Sequence, residues 1–275
     1  MESIEKEYDP EAIHQARVAT RKLRALLWLI ADFLSKQQAL AIAEDISGLG
    51  KALGALRDLD VLEEKLILLA EEAKVSPDPL VCALQEPRAS ARQNLEEGLS
   101  LHKEKLLRIS GFFDDLPKLD APLIQCLAQE KIGSLLADVV KRAEKKSKTI
   151  RQRHRLRIKI KRLRYACEVL FSKEGKRARR FLENLTDLQD TLGKMNDLAF
   201  AEKLLRDLAG NRQDLAAILP RITEVIYKKE KKLLPLLHKQ EKIFLREAKG
   251  LPWQKGEEGY GHGAAAMAAE QSDSR

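Results

Sequence analysis

Apolar residues recur along this chain at three- and four-residue spacing almost throughout, and no convincing stretch alternates with the two-residue period of a half-buried strand. The pattern predicts an all-α protein. Asp9-Pro10 marks the first helix start, with Asp9 as N-cap, Pro10 at the first helical position and Glu11 in the first turn. That helix is expected to run to about Phe33. Further helices are expected over about 38–57 and 60–74, the latter opened by a capping box of Asp60 and Glu63. Ser76-Pro77-Asp78-Pro79 reads as a breaker, and the next helix covers about 86–110. Residues 111–122, with Pro117 and Pro122, read as a linker between halves. Beyond it the periodicity predicts helices over about 123–147, onward to Phe171, then 176–194, 197–209 and 213–249. Residues 1–8 read as an N-terminal extension. The ordered unit is expected over 9–249, as halves 9–110 and 123–249, with a Gly/Ala-rich tail, 250–275, expected to be disordered.

Within this pattern one basic cassette occurs twice. His14-Gln-Ala-Arg17-Val-Ala-Thr-Arg21-Lys22-Leu23-Arg24 returns as His154-Arg-Leu-Arg157-Ile-Lys-Ile-Lys161-Arg162-Leu163-Arg164. Neither copy contains an acid. At about 100° per residue, positions 14, 17, 21 and 24 fall within about 80° of one another. Ala16, Ala19, Leu23, Leu26 and Ile30 are placed on the opposite side of the helix. A second element follows at nearly the same offset. Ile46 to Leu59, with Leu53-Gly54 and Asp58, aligns with Leu185 to Leu198, with Leu192-Gly193 and Asp197. Two elements in one order at one spacing imply a duplicated helical unit. Short connections would make each half a small antiparallel bundle, and a pseudo-two-fold arrangement could set the cassettes face to face.

Charge sharpens the reading. The chain carries a formal net charge of +8, yet residues 141–164 alone hold 13 basic residues against one acid. With the first cassette's four further cations removed, the rest of the chain is acidic. A basic focus on an acidic body is the footprint of an anion site. Like charges three and four apart cost a helix about 0.2–0.5 kcal/mol per pair, so two such stripes call for an anion to neutralise them. Arginine suits phosphate oxygens, and ligands spread over about 15 Å of helix suit an extended polyanion better than one phosphate. His14 and His154, at matched positions, read as hydrogen-bond donors to the anion rather than metal ligands, because no second ligand sits at metal spacing. Gly54 and Gly193 read as permitting close helix approach, and Asp58 and Asp197 as helix caps.

Other features bound the class. Cys82, Cys126 and Cys167 are few, scattered and without a C-x-x-C pair, which fits a reducing compartment. The charged start MESIEKEYDP lacks an apolar core, and no apolar run is long enough for a bilayer, so the expectation is a cytoplasmic protein with no membrane partner.

The two cassettes, the Arg162-Leu163-Arg164-Tyr165 ending of the second, and the Leu192-Gly193 to Asn196-Asp197 element resemble the CHAD family, the conserved histidine α-helical domain, over about residues 8–247. The resemblance implies two four-helix-type bundles around a basic central channel, with inorganic polyphosphate as ligand. Its histidines fall on His14 and His154. Its basic ligands fall on Arg17, Arg21, Lys22, Arg24, Arg157, Lys161, Arg162 and Arg164. The first half departs from the second, with Arg57 at the place of Asn196 and Ala25 at that of Tyr165. Lys51, Arg57, Tyr165, Lys176, Arg177, Arg180 and Lys194 are peripheral candidates. Relatives are often fused to a triphosphate-processing domain carrying Glu-x-Glu-x-Lys. Here Glu5 and Glu7 are followed by Asp9, and no phosphate loop or nucleophile–base pair is visible. The expectation is therefore a non-catalytic binder without cofactor or metal, targeted to polyphosphate granules. The alternatives are a nucleic-acid-binding helical protein and an accessory subunit of a phosphate- or polyphosphate-metabolising enzyme. Aromatics make up only 5% of the chain, and neither cassette offers a row of stacking rings, which weighs against nucleic acid.

Overall fold

The computed structural model describes residues 9–116, 121–145, 149–171 and 175–249. The proposed extension 1–8, the tail 250–275 and part of the proposed linker lie outside them. The described residues form eight α-helices and no strand. They are α1 (Pro10–Ile30), α2 (Lys36–Glu72), α3 (Asp78–Glu97), α4 (Leu99–Asp114), α5 (Ala121–Ala143), α6 (Ile150–Phe171), α7 (Lys176–Ala209) and α8 (Gln213–Ala248), with a 3₁₀ turn at Ala31–Phe33.

Local chemistry sets several of these boundaries. Asp9 caps α1, accepting from the Glu11 backbone N–H at 2.9 Å. Ser35 and Gln38 form a reciprocal capping box at the start of α2. At its end Lys74 adopts the left-handed conformation, with φ of 54°. The Val75 N–H reaches back to the Ala70 carbonyl at 3.0 Å, which closes a Schellman turn.

The breaks expected near Asp58–Asp60 and near Asp197 do not occur. Helix α2 runs unbroken for 37 residues and α7 for 34. The acids that read as caps have partners on other helices instead. Arg88 of α3 donates to Asp60 through Nε (3.1 Å) and Nη2 (2.7 Å), and to Glu63 through Nη1 (2.6 Å). A side chain bonded across to a neighbouring helix no longer competes for its own backbone, so the helix continues. The helix expected over 86–110 is in fact two, α3 and α4, which meet at Gly98. Helix α3 also begins earlier, because Ser76 accepts from the Asp78 N–H at 3.2 Å and Pro79 sits in a first turn that needs no donor.

The core explains the length of α7 and α8. One cluster joins Ile132 and Leu136 of α5, Leu156, Ile160 and Leu163 of α6, Phe181 and Leu188 of α7, and Phe244 of α8, with Leu29 of α1 reaching in. A second joins Leu62 and Leu66 of α2 and Leu80 and Leu84 of α3 to Leu205 of α7 and Leu215, Ile222 and Ile226 of α8. The two halves therefore share part of their core, chiefly through the second of these clusters. Burial of such a side chain contributes about 1.5–3 kcal/mol, so these clusters fix the second-half helices onto the first-half ones.

Helix α1 departs from its expected apolar face. Ile30 is buried and Ala16, Leu23 and Leu26 are half-buried, but Ala19 is exposed, and Ile13, Thr20, Ala25, Leu27 and Leu29 are buried besides. Ile13 packs with Leu49 and Leu53 of α2, and Leu27 with Ile42 and Ile46. The rest of α1 lies against α6, which brings the two cassette helices side by side.

Candidate functional site: a basic cavity between the two cassettes

Each cassette helix rests on the Leu-Gly helix of its own half, with its leading arginine lying over the glycine. Arg17 lies over Gly54, donating through Nη1 to the Gly54 carbonyl at 2.8 Å and through Nη2 to Asp58 at 2.8 Å. A Cβ on Gly54 would come within 3.3 Å of that Nη1. Arg157 lies over Gly193 in the same way, with Nε 3.6 Å from where a Cβ would stand. Gly54 thus makes room for a guanidinium group, whereas a Cβ at Gly193 would stand at ordinary contact distance from Arg157. The equivalence stops at the aspartates: Asp58 holds Arg17, but Asp197 is held by Lys65 of α2 in a short ion pair. Among the described residues, Arg157 Nε is left buried with no hydrogen-bond partner.

Between the cassettes lies a cavity of about 760 Å³. Helix α1 contributes His14, Val18, Arg21 and Lys22, and α2 contributes Lys65. Helix α6 supplies Arg157, Lys161, Arg164, Tyr165 and Glu168, and α7 supplies Gln189, Asp190, Gly193, Lys194 and Asp197. Seven lysines and arginines thus face three carboxylates, two of which are already engaged: Asp197 by Lys65, Glu168 by Arg164.

Tyr165 organises the arginines. Its hydroxyl accepts from Arg21 Nε at 2.7 Å, joining the first cassette to the second, and Arg164 stacks 4.3 Å from its ring centre. Arg164 also donates to Gln189 at 3.0 Å. Lys161 has no hydrogen bond or ion pair among the described residues. Burial, reinforced by Arg157, Arg21 and Arg17, pushes its ammonium down to about 8, with Asp58 opposing. Burial and then Arg21 lower Arg24 in the same direction.

The structure thus gathers His14, Arg21, Lys22, Arg157, Lys161, Arg164, Tyr165 and Lys194 of the sequence candidates around one cavity. The others stand elsewhere. Arg17 is pinned to α2, and the guanidinium of Arg24 lies against Gly50. His154 is exposed, with Nδ1 2.6 Å from the Asn196 amide oxygen. Arg162 turns away and covers the Trp28 ring at 4.4 Å, where burial lowers its pKa. Lys51 and Lys176 are exposed, and Arg57 faces Glu64 at 4.0 Å. Arg177 and Arg180 line a separate cavity of about 440 Å³ with Phe181, Arg246 and Glu247. Sequence reasoning missed Lys65, Glu168, Gln189 and Asp190. Glu168 stands four residues after Arg164 and was within reach of helix spacing; Lys65 belongs to no motif.

Among the described residues no helix is long and apolar enough to cross a membrane, and no group of three His, Cys, Asp or Glu side chains is arranged to hold a metal ion.

Comparison with known proteins gives a consistent result. No curated protein matches the chain. Among solved structures, the crystal structure of the CHAD domain from the plant Ricinus communis matches with a TM-score of 0.67 and 26% identity. The match covers 90% of this chain and 85% of that one. The family model of the CHAD domain matches residues 2–206, three quarters of the sequence and both cassettes. The chain belongs to the CHAD domain family.

Proposed function

We propose that the cavity between α1 and α6 binds inorganic polyphosphate and holds it without turning it over. The observation that carries this reading is the convergence of both cassettes on one cavity in which cations outnumber carboxylates by more than two to one. An anion placed there meets guanidinium and ammonium groups on four helices, and it offsets the burial and the repulsion that depress Lys161. The family resemblance implies the same ligand class. The proposal includes localisation in the cytoplasm with targeting to polyphosphate granules; a role as accessory subunit of a phosphate- or polyphosphate-metabolising enzyme is the alternative to it.

Nucleic acid also carries phosphates, but it needs a surface for its bases. Tyr165 is the one Phe, Tyr or Trp lining the cavity among the described residues, and it is buried, with its hydroxyl taken by Arg21 and its face by Arg164. That leaves no row of rings on which successive bases could stack. Calorimetric titration with orthophosphate, tripolyphosphate and long-chain polyphosphate tests the proposal. Affinity should rise steeply with length, because a chain held by one cassette meets the other at high effective concentration. Single-stranded DNA and RNA at matched phosphate should compete poorly. Equal affinity for orthophosphate and long chains, or equal competition by nucleic acid, would sink the reading.

A further inference from the structure

Lys161 differs from the other cations of the cavity. Lys65 is paired with Asp197, Arg164 with Glu168, and Arg21 with the Tyr165 hydroxyl, and Lys22 and Lys194 are exposed, whereas Lys161 is half-buried and presents its amine to the cavity with no partner among the described residues. One turn earlier on α6 stands Arg157, with its unpartnered Nε, and Arg21 faces Lys161 from α1. Side chains four residues apart on a helix are neighbours, with Cβ atoms about 5–6 Å apart. A phosphate held by Arg157 and Arg21 would therefore lie within reach of the Lys161 amine. Half-buried lysines among cations are nucleophiles, since more of the amine is neutral near pH 7.

We propose that Lys161 is an acyl-acceptor site: small acyl phosphates enter the cavity, are held by their phosphate on Arg157 and Arg21, and transfer the acyl group to the Lys161 amine. The lone pair of Nζ attacks the carbonyl carbon. The C–N bond forms as the bond from that carbon to the phosphate oxygen breaks. Inorganic phosphate leaves with the electron pair and takes up the proton released from the amine. The product is an uncharged amide, so the cavity loses one cation, and the modification weakens polyanion binding at the same site. The inference rests on the anion-binding reading above, but its test separates the two.

The full-length protein is incubated with acetyl phosphate at pH 7.5, and acetylation is followed residue by residue by mass spectrometry. Lys36 and Lys51, both exposed and outside the cavity, serve as internal references. Lys161 should be acetylated at least about tenfold faster than either, given its larger neutral fraction and the phosphate anchor. Its rate should level off above pH 8, where the references still climb. The preference should shrink with the acetyl ester of N-hydroxysuccinimide, which has no phosphate, and in the Arg157→Gln variant. Acetylation should lower polyphosphate affinity about fivefold at 0.1 M salt, the effect of one lost counterion release, and this loss should be absent from Lys161→Arg. A Lys161 rate no greater than that of Lys36 and Lys51, or the same preference with the phosphate-free reagent, would overturn the proposal. Polyphosphate binding without fast acetylation removes this inference and leaves the proposed function standing. Fast acetylation without polyphosphate binding does the reverse.

Discussion

Replacing Lys161 with methionine should stabilise the ligand-free protein at neutral pH. The ammonium is lowered from its ordinary value of 10.5 to about 8, first by burial and then by Arg157, Arg21 and Arg17. At 1.36 kcal/mol per tenfold change, that displacement sets a limit of about 3 kcal/mol of unfavourable charge in the folded state. The amine faces an open cavity, and screening by water reduces this to about 1–2 kcal/mol. The sign follows from proton counting. Between pH 8 and 10.5 the unfolded chain keeps the Lys161 proton and the folded one has lost it, so this residue's contribution to stability rises with pH across that window. Below pH 8 both states are charged and the full penalty is present. The methionine variant avoids the penalty, so its melting temperature at pH 7 should exceed that of wild type by roughly 2–8 °C. The gap should close as pH rises from 8 to 10.5. Paired thermal melts across pH 6–10.5 measure it, and taking the difference between the two proteins removes the other titrating groups. Saturating polyphosphate should also close the gap, because it stabilises the charged amine and binds only the folded wild type with full affinity. A methionine variant less stable than wild type at pH 7, or a gap independent of pH, would refute the reasoning and make Lys161 a structural cation.

Arg17→Gln and Arg157→Gln, equivalent in sequence, should behave differently. Arg17 loses its bonds to the Gly54 carbonyl and Asp58, so its variant should lose about 1–3 kcal/mol in denaturant unfolding, with the salt dependence of polyphosphate binding unchanged. Arg157→Gln should keep stability but bind more weakly, with a shallower slope of log affinity against log salt. The two repeated glycines give a matching contrast. An Ala side chain at Gly193 meets Arg157 at ordinary van der Waals distance, so Gly193→Ala should gain about 0.5–1 kcal/mol from helix propensity. At Gly54 the methyl would press within 3.3 Å of the pinned Arg17 guanidinium, and that gain should be cancelled in equilibrium unfolding.

Local signals in the sequence carried the outline of this site. Asp9-Pro10 opens α1 as a cap and a first-turn proline do anywhere, and the stripe spacing of the cassettes places His14, Arg21, Lys161 and Arg164 on the cavity. What escaped were features whose cause lies on another helix. Asp58, Asp60 and Asp197 have the intrinsic preference of N-caps, and nothing near them in sequence reveals that Arg17, Arg88 and Lys65 satisfy them across helix contacts. Arg162 sits in the cassette beside Lys161, but one residue is a 100° rotation, enough to carry it to Trp28 of α1. Lys65 reaches the cavity only because the shared core of α2, α7 and α8 lays α2 against α7.

That placement of Lys65 decides how charge is divided in the site. Were the two halves strictly equivalent, Asp197 would neutralise Arg157 as Asp58 neutralises Arg17, and each cassette would spend its leading arginine on its own Leu-Gly helix. Instead Lys65, from the first half, takes Asp197 in the second. Arg157 remains over Gly193 with Nε unsatisfied, on the same helix face as the unpaired Lys161. The cost of an unsatisfied buried donor is about 1–3 kcal/mol, and a phosphate oxygen is an acceptor suited to remove it. The first cassette is thus fastened to the fold by Arg17, while the second is left under-compensated and facing the cavity. The repeat places two matching arginines in the sequence, and a single lysine from outside it leaves one fastened to the fold and the other, on the proposed reading, to the anion. Exchanging Lys65 for methionine should free Asp197 to turn to Arg157. If so, polyphosphate binding would fall by more than the loss of one cation explains, with the excess absent when Asp197 is also changed to asparagine. An unchanged excess in that double variant would show that Asp197 does not control Arg157.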